Sequence, residues 1–272
     1  IVIGLLVVAL SSGGPSVPDK AALVLNPKGA VVEQISGNPL SRITDRITGQ
    51  GEDEVLRKDL LDAIRKAKDD PRIQVLVLDP DQLGTVGMSK LLDLKAALVE
   101  FKKSGKKIIA AGDNFDQNGY FLAAQADEVY LHPMGMVLLE GFGRYAMFFK
   151  EGLDKLEVEV HVFRVGEYKS AVEPFLRDDM SDEAKQANLE FLGDLWNAWL
   201  KETAAGRKMK VADLQGYIDG FKDRLAENRG QTAQMALKAK LVDKLANRDE
   251  VRDRLVQLVG EDEEKHTFHQ IG

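Results

Sequence analysis

Lys169 is the residue whose neighbours best equip it for chemistry. It lies in the run His161-Val162-Phe163-Arg164-Val165-Gly166-Glu167-Tyr168-Lys169-Ser170-Ala171-Val172-Glu173-Pro174-Phe175. The β-branched residues from about Val158 to Val165 read as a strand, which Gly166 ends. Pro174 argues against a regular helix through the segment. A lysine at the end of a buried strand, beside an aromatic residue and followed by small ones, is open to desolvation. Desolvation favours the neutral amine, and a neutral amine can take a proton as a general base. By residue type alone a lysine belongs in solvent, so the assignment needs more than the residue.

Other candidates are weaker. Ser170 adjoins Lys169, but neighbours in an extended segment point to opposite faces, so the two do not make a dyad. Ser89 stands where a helix cap is expected. Asp178, Asp179, Asp182 and Glu183 have no histidine close in sequence, and a helix start accounts for them without a metal. His266 and His269 lie in a polar tail and define no metal site. Gly141-Phe142-Gly143 lacks the third glycine and the later acid of a dinucleotide fingerprint, and no Walker pattern occurs. No cofactor is called for.

Composition narrows the choice further. The chain of 272 residues has no cysteine, which excludes disulfides, thiol nucleophiles and thiolate-bound zinc. Its net charge of −7 and lack of a basic stripe exclude a nucleic-acid footprint. Hydrophobic residues at 44% and charged residues at 30% are those of a globular protein with a sizeable core. Four histidines leave few options for a Ser-His-Asp triad, whereas a serine served by lysine needs none.

The elements that must position Lys169 alternate between strand and helix. Ile1–Leu10 is apolar and reads as the end of a membrane or signal segment, and Ser11–Pro18 as a linker. Ala21–Val32 reads as a strand pair or a bent strand around Pro27-Lys28-Gly29, followed by a polar loop from Ser36 to Glu52. Helices are expected at Glu54–Lys68, Ser89–Lys103, Asn118–Ala126 and Tyr145–Leu156. Strands are expected at Ile73–Leu78, Lys107–Ala111, Val129–His132 and Gly135–Gly141. From Ser181, a good helix cap, the chain turns helical, with a long helix bearing Trp196 and Trp199. Shorter helices follow near Val211–Tyr217, Gln231–Lys240 and Arg248–Val259. The pattern predicts an α/β fold with a mainly parallel sheet and a helical C-terminal part. The expected divisions are 1–20 (membrane or signal end plus linker), 21–260 (peptidase-like domain, helical from about 181) and 261–272 (a charged linker leading onward).

The run Val162-Phe163-Arg164-Val165-Gly166, then Tyr168-Lys169-Ser170-Ala171-Val172-Glu173-Pro174-Phe175, then Arg177-Asp178-Asp179-Met180-Ser181 resembles the lysine segment of signal peptide peptidases of the protease IV type. The likeness extends from about Ala21 to about Gly260. It implies a Clp protease/crotonase-like spiral and a membrane-anchored serine protease with a Ser–Lys dyad. In the long bacterial form of that family the first half carries the lysine, which Lys169 matches, and the second half carries the serine. The serine halves have Pro-Gly-Gly-Ser beside the oxyanion hole and Ala-Ser-Gly-Gly-Tyr around the nucleophile. Here the first position reads Pro80-Asp81-Gln82-Leu83-Gly84 and the second Asp116-Gln117-Asn118-Gly119-Tyr120, with Gln117 at the serine position. An amide is no nucleophile.

The resemblance therefore implies the N-terminal, lysine-bearing half of such an enzyme. Its partners would be a serine-bearing second half or subunit, cleaved signal peptides as substrates, the membrane through an N-terminal segment, and further copies in a homo-oligomer. The implied location is the bacterial inner membrane, with the domain facing the periplasm. A competing reading is a non-catalytic structural or substrate-holding module of a ring assembly. A crotonase-type acyl-CoA enzyme lacks support, because no set of an oxyanion-hole glycine with carboxylate bases is found.

Overall fold

The computed structural model describes residues 17–37, 53–163 and 170–272. Its strands are β1 (Ala21–Leu25), β2 (Ala30–Val32), β3 (Glu54–Leu56), β4 (Ile73–Leu78), β5 (Lys107–Gly112), β6 (Glu128–Leu131), β7 (Lys244–Leu245), β8 (Glu261–Asp262), β9 (Thr267–Phe268) and β10 (Gln270–Ile271). The helices are α1 (Arg57–Asp69), α2 (Met88–Lys102), α3 (Gln117–Ala123), α4 (Lys150–Lys155), α5 (Glu173–Leu176), α6 (Asp182–Gly206), α7 (Val211–Asp219), α8 (Phe221–Glu227), α9 (Thr232–Lys238) and α10 (Arg248–Val259). The chain divides into two units, Ile1–Leu139 with Thr203–Gly272, and Glu140–Glu202.

The first unit is built on a six-stranded sheet in the order β10-β1-β4-β5-β6-β7, and every neighbouring pair is parallel. This is the expected α/β class. The run Ile73–Leu78 is almost wholly apolar because helices cover both faces of the sheet. Alternate residues of β4 serve opposite sides. Val75 and Val77 pack with Leu255 and Val259 of α10, whereas Leu78 meets Leu60 and Ile64 of α1 and Leu94 and Leu98 of α2. Leu76, Ile108 and Ile109 are fully buried at the centre.

Several expectations change. Ala21–Val32 forms two strands that do not pair with each other: β1 joins the main sheet and β2 pairs with β3. Gly29 makes that break possible, with φ of +76° and the Asp53 carbonyl where a Cβ would sit. The helix read from Glu54 begins at Arg57, because Glu54–Leu56 is claimed by β3. The Gly135–Gly141 strand shrinks to a single bridge between Val137 and Phe115. The Tyr145–Leu156 helix keeps only Lys150–Lys155. Glu261–Ile271 is no free charged tail: β8 pairs with β9, and β10 takes the sheet edge beside β1. Of the Glu261–Lys265 run, Glu261 and Asp262 form β8, and Glu263, Glu264 and Lys265 sit exposed in the turn of that small hairpin.

The second unit is held by polar caps and aromatic pairs. Pro174 does not prevent a helix; it occupies the first turn of α5, where its missing N–H costs nothing. Ser181 accepts from the Ala184 N–H at 3.2 Å, as a cap at the start of α6 should. Glu173, buried one turn into the same segment, accepts from the Ser181 hydroxyl at 2.6 Å and its N–H at 3.0 Å. Trp196 and Trp199 stack with ring centroids 5.1 Å apart, and Phe142 meets Trp196 edge-on. Among the described residues no helix is long and apolar enough to cross a membrane, and Ile1–Leu10 lies outside them.

Candidate functional site

Three loops meet at the carboxyl ends of the central strands. The loop after β4 runs from Asp79 to Gly84, and four of its amides are engaged within the protein. The Asp79 N–H donates to the Leu25 carbonyl at 2.9 Å, Leu83 N–H to Pro80 at 2.9 Å, and Gly84 N–H to Gly29 at 2.7 Å. The Asp81 N–H donates to the Asp79 carboxylate at 3.2 Å. Hydrogen bonding thus engages the amides of Asp79, Asp81, Leu83 and Gly84.

The second loop follows β5. The Asp81 carboxylate accepts from the Asp113 N–H at 2.9 Å and the Asn114 N–H at 3.3 Å, tying the two loops together. Asp116 caps α3 by accepting from the Gly119 N–H at 2.7 Å. Gln117 is the first residue of that helix. A nucleophile at the start of a helix profits from its positive end, and this chain puts a carboxamide there. Gly119 is required by packing, because a Cβ would press on the Asp116 carboxylate and the Pro80 ring. Tyr120, fully buried, donates to the Leu241 carbonyl at 2.8 Å. Burial pushes its phenol far above the ordinary range, so it stays neutral.

Two groups missed by sequence reasoning converge on these loops. Asn26, at the end of β1, donates to Asp79 at 2.8 Å. Arg248, the first residue of α10, pairs with Asp113. Burial holds the Asp79 carboxyl above its usual pKa, with Asp81 and Asp113 adding to the rise; the Asp81 N–H and the Arg248 charge oppose it. No short motif signals either partner, since Asn26 and Asp79 lie 53 residues apart and parallel pairing alone joins them.

Lys169 lies outside the described residues, as does the stretch Arg164–Tyr168. The part of the expected Val158–Val165 strand that is described, Val158–Phe163, pairs with no strand. Val160 and Val162 are half-buried, whereas Val158, Glu159, His161 and Phe163 are exposed. A run of β-branched residues does not by itself supply a ladder partner. Immediately after Lys169, Ser170–Val172 forms a 3₁₀ turn leading into α5. Ser89 does not cap α2, whose cap position is Gly87. Asp179 instead pairs with Lys185 at 3.0 Å, and Asp178 accepts from the Glu151 N–H at 3.1 Å. Among the described residues no group of three His, Asp or Glu is placed to hold a metal ion.

Residues 100–261 match peptidase family S49. The chain belongs to that family. It is 38% identical over 256 residues to protease 4 of Salmonella typhi and 35% identical over 261 residues to protease 4 of Haemophilus influenzae. Each match covers 93% of this chain but only 41% and 42% of those proteins, so the chain spans about two fifths of their length. It is also 26% identical over 178 residues to the chloroplastic serine protease SPPA of Arabidopsis thaliana, covering 65% of this chain and 26% of that one. Solved structures of similar shape include two variants of a membrane-bound stomatin-specific protease. They are 11% and 12% identical, with TM-scores of 0.43 and 0.45, over 88% and 87% of this chain and 86% and 80% of theirs. The fold class rests on the parallel sheet itself rather than on those scores.

Proposed function

We propose that the chain is the lysine-bearing half of a Ser–Lys peptidase that degrades cleaved signal peptides. The supporting observation is the run through Lys169 to Ser181 in a chain of family S49, set beside Gln117 at the head of α3. Lys169, neutral, takes the proton of a serine supplied by a second half or another subunit. Lowering a lysine pKa from about 10.4 to about 7.5 costs about 4 kcal/mol of differential solvation, which a buried interface can supply. Amides beside the partner's serine stabilise the oxyanion, and the amides of Asp79, Asp81, Leu83 and Gly84 are engaged within this chain. The apolar Ile1–Leu10 segment tethers the enzyme to the bacterial inner membrane with this domain facing the periplasm.

Residues 1–272 alone should not cleave a fluorogenic peptide, and adding a serine-bearing half should restore turnover. Inhibitor-sensitive cleavage by the isolated chain, mapped to one of its own serines, would overturn this reading. Removing residues 1–18 should release the complete enzyme from membranes, and sedimentation with membranes after that deletion would count against the tether.

A second reading, a non-catalytic module of a ring of like subunits, draws on the exposed apolar side chains of Glu140–Glu202. Tyr145 is 97%, Phe163 101% and Met147 74% exposed. Unchanged proteolysis by the assembled enzyme carrying Lys169→Ala would favour it.

A further inference from the structure

The unit of Ile1–Leu139 with Thr203–Gly272 contains a cavity of about 510 Å³, within the usual span of small-ligand sites. It opens at the carboxyl ends of β1, β4 and β5, where Asn26, Asp79 and Asp113 follow the strands. Strand order runs one way from β1 through β4, β5, β6 and β7, and β10 lies on the other side of β1. Open parallel sheets bind ligands at such a turn in strand order, outside the carboxyl ends. The floor is apolar, with Val24, Val77, Tyr130, Leu255 and Phe268. The rim is charged, with Asp79, Asp81 and Asp113 on the strand ends and Arg248, Asp249 and Arg252 across from them on α10.

The rim carboxylates are not equivalent. Asp113 is neutralised by Arg248, and Asp81 is held by the Asp113 and Asn114 amides. Asp79 has two neutral partners, the Asn26 amide and the Asp81 N–H. It is half-buried beside two other acids; burial first, and then those acids, hold its pKa up against the Asp81 N–H and the Arg248 charge. A cation placed there relieves both burial and repulsion. Among the described residues no group of three acids or histidines is placed to hold a metal ion, so a metal ion is a poor match. An organic cation with an aliphatic stem satisfies the acid and the apolar floor together.

We propose that this cavity receives a lysine or arginine side chain of a bound peptide, its stem on the Val77–Tyr130 floor and its charged head at Asp79. The peptide character of the ligand rests on the function proposed above, and its basic residue is the kind that flanks the apolar core of a signal peptide. The inference does not depend on Lys169.

The test uses residues 1–272 and a fluorescent apolar peptide carrying one arginine, compared with the same peptide carrying citrulline, its neutral isostere. The arginine peptide should bind about tenfold more tightly at low salt, and added salt should shrink the gap. Asp79→Asn should erase it. Arg252→Ala, which removes a rim cation paired with Asp249 and Asp253 and so makes the rim more negative, should tighten the arginine peptide by about two- to fivefold and leave the citrulline peptide alone. Lys169→Ala should leave both affinities unchanged, so loss of catalysis and loss of this pocket are separable. Equal affinities for the two peptides, no binding of either, or a gap that survives in a folded Asp79→Asn protein would overturn the assignment. Should Asp79→Asn fail to fold, an Arg252→Ala protein that binds the arginine peptide no more tightly would do so instead.

Discussion

The two units are stabilised in different ways. The sheet unit buries Leu76, Ile108, Ile109 and Val129 completely, each covered by a neighbouring strand and a helix. The Glu140–Glu202 unit leaves Tyr145, Met147, Leu156, Phe163, Leu189 and Phe191 mostly exposed. Its internal order comes from the Glu173–Ser181 cap and a few ring contacts. One unit satisfies its own hydrophobic pattern; the other has apolar residues whose pattern is not met within the unit. The run that resembles a catalytic segment belongs to the second.

That contrast is broken most sharply by substitutions with opposite signatures. In an assembled enzyme, Lys169→Ala should lower turnover by about 10²–10⁴-fold, the share a general base supplies, with an unchanged melting temperature. Lys169→Arg should match it, because a guanidinium cannot accept the proton. Steady-state kinetics beside calorimetry checks both, and near-normal turnover in either variant rules out Lys169 as the base.

Within the sheet unit, Leu76→Ala should cost about 2–5 kcal/mol through lost burial and a residual cavity. Phe163→Ala should stay within about 0.5 kcal/mol, its ring being exposed. Urea unfolding of residues 1–272 measures both. Comparable losses would mean that the Glu140–Glu202 unit is packed more tightly than its exposure indicates.

How legible each unit is in the sequence follows the same division. Ile73–Leu78 and Arg248–Val259 agree with the expected bounds because local apolar pattern and tertiary burial point the same way. The cap at Ser181 was legible for the same reason, since Ser-Asp-Glu is a local signal. Val158–Phe163 reads as a strand and is not one, since β-branched alternation states a preference for pairing and not the existence of a partner. The sheet edge at Gln270–Ile271 was hidden behind the charges of Glu261–Lys265, two residues being too short for any period. At the candidate site, Gln117 was legible from its motif, while Asn26 and Arg248 were not, because only the fold brings them to Asp79 and Asp113.

A narrower probe of the second unit is Glu173→Ala. It leaves the buried Ser181 N–H and hydroxyl without their acceptor, which should cost about 1–3 kcal/mol. Hydrogen exchange should quicken across 173–185 while β4 and β5 keep their protection. Uniform loosening of both units would show that they unfold as one.

The smallest expected effect belongs to the sheet unit and depends on pH. Glu128, at the start of β6, accepts two hydrogen bonds from Arg254 at 2.8 and 3.1 Å. Lys107 at 2.7 Å and the Tyr130 hydroxyl at 2.7 Å complete the cluster. Arg254 above all, then Lys107 and Tyr130, bring the Glu128 pKa down from 4.5 to about 2 against the opposing effect of burial. A carboxylate with a depressed folded pKa binds fewer protons folded than unfolded, so its stabilisation is full above about pH 4.5 and fades as pH falls toward about 2. The shift corresponds to about 3 kcal/mol at face value, which solvent screening at this partly exposed cluster reduces to about 1–2 kcal/mol. Glu128→Gln should therefore destabilise residues 1–272 at pH 7 by that amount and by progressively less between pH 4.5 and 2. No acid of the Glu140–Glu202 unit shares the cluster, so local exchange in that unit should not follow the titration. A mutant whose deficit stays constant from pH 7 to pH 2 would show that Glu128 contributes through shape and not through its charge.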